Sequence, residues 1–310
     1  MTSRHPDAVR LATLVHVARH GSLTGAARAM GVTTSAVSQQ MSALEADCGV
    51  RLVDRQSRGV ILTGAGAVLL ERAEEVVRQL DVAAATMAQL SGELAGPVRV
   101  ASIASGAASI VLPAVQVLSR TAPAVTMSIT TLEPTASLEA VMDGTVDVAL
   151  IDVYDHVPLA LPSHLLVEEV LTEPLVVVSA RDAVLPRRPS LADLKDSAWV
   201  IPPATAACGA ATRHACRSAG FEPRVTWATD DLLLLVAAVS RGEGVSLLPR
   251  RAVADTVAPV TIRPLAGPAL SRRMLIVARE ATGRRPTVRA CLDAVHHVAR
   301  EAPSRARTSA

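Results

Sequence analysis

The chain has 310 residues and a mass of 32.2 kDa, more than the roughly 100 to 200 residues of one ordinary domain, so two or three domains are expected. Half of its residues are apolar, 19% are charged and the net charge is +2, a balance that excludes a disordered polyelectrolyte. No apolar run nears the roughly 18 residues of a membrane-spanning helix, and Arg4, His5, Asp7 and Arg10 interrupt the start of the chain where a secretory signal would be apolar, so a cytoplasmic protein with no membrane partner is expected.

Charge is unevenly placed. Residues 1 to 66 hold seven Arg against four acids and residues 67 to 95 two Arg against five, which makes the N-terminal segment the part suited to a polyanion. Only Tyr154, Trp199, Phe221 and Trp227 could stack a base, which disfavours RNA readout on an aromatic platform. Cys48, Cys208, Cys216 and Cys291 lack C-x-x-C spacing and the density of a disulfide framework, so reduced thiols, no structural metal and no cofactor are expected.

Asp7 to His20 sets Leu11, Leu14, Val15 and Ala18 at helical spacing and stops at Gly21, which predicts an amphipathic helix. Ser22 can cap a short second helix through Ala26, Ala27 and Met30. Gly31-Val32 then turns the chain, and Thr33 or Thr34 caps a third helix with Val37, Met41 and Leu44 inward. Two short helices about a glycine-containing turn make a helix-turn-helix. The outward face of the third helix carries Thr34, Ser35, Ser38, Gln39 and Ser42, side chains that can touch base edges or simply meet water. Arg51 to Leu62 reads as two short strands around a basic turn, a wing whose Arg55 and Arg58 suit phosphate or minor-groove contact.

In order and spacing, Gly21-Ser22-Leu23-Thr24, Ala26-Ala27, Ala36-Val37-Ser38, Leu44-Glu45, Gly49-Val50-Arg51-Leu52, Arg55 and Leu62-Thr63-x-x-Gly66 resemble a LysR-type transcriptional regulator, without a gap over residues 9 to 70. Ser35 stands where the family often has Pro, and Val53-Asp54 replaces the usual Phe-Glu; both changes flank the DNA-contacting surfaces and bear on operator sequence. The resemblance implies a winged helix-turn-helix over residues 1 to 66. The expected DNA-binding set is Ser22, Thr24, Thr34, Ser35, Ser38, Gln39, Arg55 and Arg58.

Thr63 can cap a long helix reaching about Leu90, in which Leu70, Ala73, Val77, Leu80, Ala84 and Met87 alternate spacings of three and four. Such a seam specifies a paired helix or covers the helix's own domain. The resemblance implies a dimerisation helix, within residues 67 to 95, of a homodimer or homotetramer.

Ser91-Gly92 and Gly96-Pro97 punctuate a linker, after which strand and helix patterns alternate. Strands are predicted at 98–103, 125–131, 147–151, 175–179, 199–201, 225–228, 245–248 and 274–278, and helices at 112–119, 138–142, 191–194, 207–219, 232–240 and 288–299. The alternation predicts an α/β fold with a parallel sheet. Two consecutive lobes, 97–167 with 268–282 and 168–267, suggest the bilobal architecture of periplasmic binding proteins. The resemblance implies the same form for an effector-binding domain over 96–282, followed by a C-terminal helix and tail over 283–310.

Ligands in open α/β sheets collect beyond the carboxyl ends of strands. There the sequence supplies hydroxyls, and the resemblance carries an effector-binding role to Ser102, Ser105, Thr131 and Thr205, with helix capping as the alternative. Hydroxyls and helix N-termini favour a small, carboxylate-bearing effector. Expected partners are double-stranded DNA, that effector, further copies of the chain and the transcription machinery. An enzyme is not expected: Cys208 and His214, six apart on one predicted helix, face different ways, and neither G-x-S-x-G nor H-E-x-x-H occurs. The rival reading is a solute-binding module fused to a helical adaptor.

Overall fold

Asp7 opens α1 (Ala8–His20) by accepting hydrogen bonds from the Val9 and Arg10 amides, and Gly21 closes it in the left-handed conformation. Ser22 caps α2 (Leu23–Met30), and Thr33, the first of the two candidate threonines, caps α3 (Thr34–Cys48). The antiparallel pair β1 (Val53–Gln56) and β2 (Gly59–Leu62) forms the wing, and α4 (Gly64–Leu90) follows. Leu14, Val37, Met41, Leu44 and Leu52 are buried together beneath these elements. Two polar devices fix the wing. Glu45 Oε1 accepts from the amides of Leu52 at 2.8 Å and Val53 at 3.2 Å. Thr63 Oγ1 accepts from Gly66 N at 3.0 Å and donates to the Arg51 carbonyl at 2.7 Å. A Cβ at Gly66 would meet the Leu52 carbonyl oxygen at 2.0 Å, so the first turn of α4 can lie against the wing only because that side chain is missing.

The computed structural model describes residues 5–56, 59–90, 94–254, 256–267 and 270–301, and the chain divides into two units, Met1–Glu93 and Leu94–Ala310. The second unit is built on one seven-stranded sheet. Its order is β10 (Val260–Pro264), β6 (Leu165–Ala180), β11 (Ser271–Arg279), β5 (Val148–Tyr154), β3 (Gly96–Ser102) and β4 (Val125–Thr131), with β9 (Ser246–Pro249) also paired to β6. A separate parallel pair joins β7 (Ala198–Ile201) to β8 (Arg224–Ala228). The expectation of a parallel sheet is corrected. Among the described strand pairs, β3–β4, β3–β5 and β7–β8 run parallel, whereas β11 is antiparallel to both β5 and β6. The reason is the bilobal path: the first half of β6 pairs with β11 and its second half with β9 and β10, so β6 leads from one lobe into the other and β11 returns.

Helices α6 (Leu112–Thr121), α7 (Pro134–Asp143) and α10 (Pro286–Arg300) accompany the first lobe, and α8 (Ala207–Ser218) and α9 (Leu232–Ser240) the second. The helix ending in α6 starts earlier than predicted, with α5 (Ala104–Gly106) and a π-helical turn over Ala107–Val111. A Cβ at Gly106 would meet Met274 Cε at 2.8 Å and Ser102 Oγ at 2.9 Å, so this glycine lets the helix start lie on β3 and β11. Likewise α7 begins at Pro134, ahead of the predicted 138, because proline suits the first helical position. The strand β10 has a short, half-buried pattern and was not predicted.

Candidate functional site

In the first unit, Thr34, Ser35, Gln39 and Ser42 of α3 are exposed and Ser38 is half-buried. No acidic side chain stands in the first turn of α3, so the partial positive charge of its amides is not offset there and the turn suits an anion. Thr24 is exposed on α2, whereas the Ser22 hydroxyl is occupied, accepting from Gly25 N at 3.0 Å. The Arg55 side chain and Arg58 lie outside the described residues.

The apolar seam of α4 divides. Ala73 is fully buried, and Leu70 and Val77 pack with it against the core made by α1 and α3. Beyond them Leu80 is 49% and Met87 63% exposed, and Ala84 is exposed as well. Of the six seam positions, Ala73 is thus buried within this unit, and Leu70 and Val77 are half-buried against the same core.

In the second unit, residues of both lobes line a cavity of about 100 Å³, among them Ser105, Glu133, Asp152, Tyr154, Cys208, Asp230 and Arg272. A neighbouring cavity of about 220 Å³ shares Glu133, Asp152 and Tyr154 with it and adds Thr135 and Thr205. Arg272 is the centre of this cleft. It is opposite Tyr154 of β5 and Glu173 of β6 in the sheet, and it is buried. Its Nε and Nη2 donate to Glu173 Oε1 at 3.0 and 2.7 Å, and its Nη1 to Asp152 Oδ2 at 3.3 Å and Ser105 Oγ at 2.8 Å. Burial opposes this guanidinium's charge, but Tyr154, Glu173 and Asp152 outweigh it and hold its pKa above the ordinary arginine value. Burial raises the Asp152 carboxyl despite Arg272 and the Tyr154 hydroxyl. Burial, then the charges of Asp152 and Asp230, raise Glu133.

Of the four expected effector-binding hydroxyls, the structure brings Ser105 and Thr205 to the cleft. Ser102 is fully buried, donates to the Ile103 carbonyl at 3.0 Å and lines neither cavity; Thr131 is exposed on the edge strand β4 and lines neither. A helix N-terminus offers roughly half a positive charge, while Glu133, Asp152 and Asp230 each bring a carboxyl and Arg272 is already matched. The nucleophile–base arrangement does not assemble: Cys208 Sγ faces the Leu247 carbonyl, and His214 stacks on His156.

Two family descriptions match the chain. "Bacterial regulatory helix-turn-helix protein, lysR family" covers residues 9–67, and "LysR substrate binding domain" covers residues 91–300. The chain belongs to the LysR family. It is a DNA-binding transcriptional regulator with an effector-binding domain. Among the relatives of this LysR-type regulator is TfdS of Cupriavidus pinatubonensis, an HTH-type transcriptional regulator 28% identical over 246 residues, 77% of this chain and 81% of that protein. A probable hydrogen peroxide-inducible genes activator of Mycobacterium leprae is 27% identical over 303 residues, 93% of this chain and 92% of its own. The fold is similar to that of full-length CbnR, solved with its target DNA, at a TM-score of 0.70, with 20% identity and 94% and 99% of the two chains covered. Among the described residues, no helix is long and apolar enough to cross a membrane.

Sequence reading of this LysR-type regulator gives no effector-binding role to Glu133, Asp152, Tyr154, Asp230 or Arg272. They are separated by up to 139 positions in the chain and have no common spacing. One signal was present. Asp152 interrupts Val148-Ala149-Leu150-Ile151, a strand buried at every position, and a carboxylate tolerated there must meet a partner.

Proposed function

We propose that α3 reads operator bases through Thr34, Ser35, Ser38 and Gln39, with Thr24 beside them, and that Arg55 and Arg58 of the wing hold phosphate. The observation that carries this is the exposed, uncharged face of α3 over a first turn without acids. Uncharged amides and hydroxyls discriminate base edges, and the helix N-terminus takes a backbone phosphate. Two copies pair through the outer part of α4, around Leu80, Ala84 and Met87, so that two recognition helices meet related half-sites. Four such copies would form a homotetramer. Residues 1–66, 67–95 and 96–282 divide DNA binding, pairing and effector binding between them, with a C-terminal helix and tail over 283–310, in a cytoplasmic regulator that is not an enzyme.

A small molecule in the cleft of the second unit changes transcription by favouring one of two arrangements of the protein, to the extent that it binds them with different affinities. Peroxide sensing through the cleft cysteine is not supported. Burial pushes the Cys208 thiol up to about 11, which leaves little of the nucleophilic thiolate at neutral pH.

A labelled fragment of the DNA flanking the gene tests the first part. The folded protein should retard it at low salt and lose it steeply as salt is added, with a log–log slope of about 0.9 per phosphate contacted. Absence of a shift at low salt would support the solute-binding adaptor instead.

A further inference from the structure

The cleft of the second unit holds one guanidinium among four carboxylates. Arg272 is committed to Glu173 and Asp152, and Glu173 also accepts from the Arg251 amide at 2.6 Å. Glu133 and Asp230 face the same cavity from the loops that precede α7 and α9, and among the described residues neither side chain has a hydrogen bond or an ion pair. The upward shift of the Glu133 carboxyl, which Asp152 and Asp230 help to cause, reports that these charges act on one another. Ser105, Tyr154 and Cys208 also line the cavity, and Ile103, Leu232, Leu235 and Leu248 give the wall its apolar part.

We propose that the effector is a small organic cation, an ammonium or guanidinium group on an apolar body, whose charge sits between Glu133, Asp230 and the cleft face of Asp152. That the cleft is the effector site is the reading given above, and the sign of the ligand is what the charges add. A cation relieves the repulsion among the three carboxylates while its body covers the apolar wall. An anion would have to displace Asp152 or Glu173 from Arg272, and would leave a buried carboxylate without its partner.

The test uses the full chain and isosteric pairs: benzylammonium against benzoate, and cyclohexylmethylammonium against cyclohexanecarboxylate, with benzyl alcohol as the neutral reference, by calorimetry at neutral pH. In each pair the cation should bind at least about tenfold more tightly than the anion, as expected when a charged cleft selects its partner by sign. Glu133→Gln combined with Asp230→Asn, both at exposed positions, should remove most of that preference. Ala207→Trp, which fills both cavities, should abolish binding. An anion that binds as well as its cation, a preference unchanged in the double variant, or no cation-selective binding in any pair overturns the proposal. An anion whose binding Ala207→Trp abolishes sinks the sign and leaves the cleft as the effector site. Binding of either class that survives Ala207→Trp overturns the cleft as well.

Discussion

In the first unit the outward face of α3 is uncharged and its ion pair Arg10–Asp47 lies partly in solvent, whereas the second unit buries Arg272 against Asp152 and Glu173. The two surfaces meet different partners. Bases are discriminated by hydrogen-bonding side chains carried on a surface that the groove can reach. A small ligand enclosed in a cleft is sorted by charge, and there the protein has to neutralise its own charges first and leave unmatched only those meant for the ligand. In the described residues that remainder is Glu133 and Asp230.

The largest expected effect is that of Arg272→Met. It leaves Asp152 and Glu173 buried without their cation and should cost the second unit about 3–5 kcal/mol in urea unfolding. Arg10→Met in the first unit, where one carboxylate is left behind and the cation was about one-third exposed, should cost less, about 1–3 kcal/mol. Equal losses would break the contrast between the two units.

Acid should act on the second unit through Asp147. Burial works against its charge, but the hydrogen bonds and charge of Arg99, and the charge of Arg285, hold its carboxyl below the ordinary range. The unfolded chain therefore takes up this proton first. The stabilisation is fully present above the unfolded value of about 3.9 and is lost as pH falls through the depressed one. Glu133 has the opposite sign, its contribution declining as pH rises through its raised value. Asp147→Asn should cost about 3 kcal/mol at pH 7 and flatten the acid limb of denaturant curves taken from pH 7 to pH 3.

The two halves of α4 sharpen the comparison at the level of assembly. Leu80→Glu should give monomers by sedimentation and reduce operator affinity about 100-fold, because each half-site must then be held alone. Ala73→Glu should unfold the first unit, since that position is fully buried within one chain. A stable dimer in the Leu80 variant would mean that pairing uses another surface. The smallest effect belongs to the base-reading face. Gln39→Ala should relax preference at one or two base pairs by about 1–3 kcal/mol each in a competition profile, while Arg58→Ala weakens all duplexes alike.

The sequence by itself determined the first unit closely, because its signals are local. Asp7, Ser22 and Thr33 cap helices a few residues away, Gly21, Gly31 and Gly49 end them, and Leu44-Glu45 and Thr63-x-x-Gly66 hold a wing within the same 66 residues. The order of strands and helices in the second unit was also legible from alternation. Tertiary structure decided the rest. A seam of heptad spacing on α4 does not say which positions its own domain buries, and Leu70, Ala73 and Val77 join the core that α1 covers while Leu80 and Met87 remain exposed. Strand direction depended on β6 and β11 carrying the chain across two lobes and back. The cleft depended on that crossing too: β6 sets Glu173 opposite Arg272 of β11, β5 brings Asp152 two positions along the same ladder, and the loops before α7 and α9 add Glu133 and Asp230. Capping and periodicity act within a few residues, so a chain read in order reveals them, whereas burial and the pairing of charges act through space between segments that only the folded path brings together.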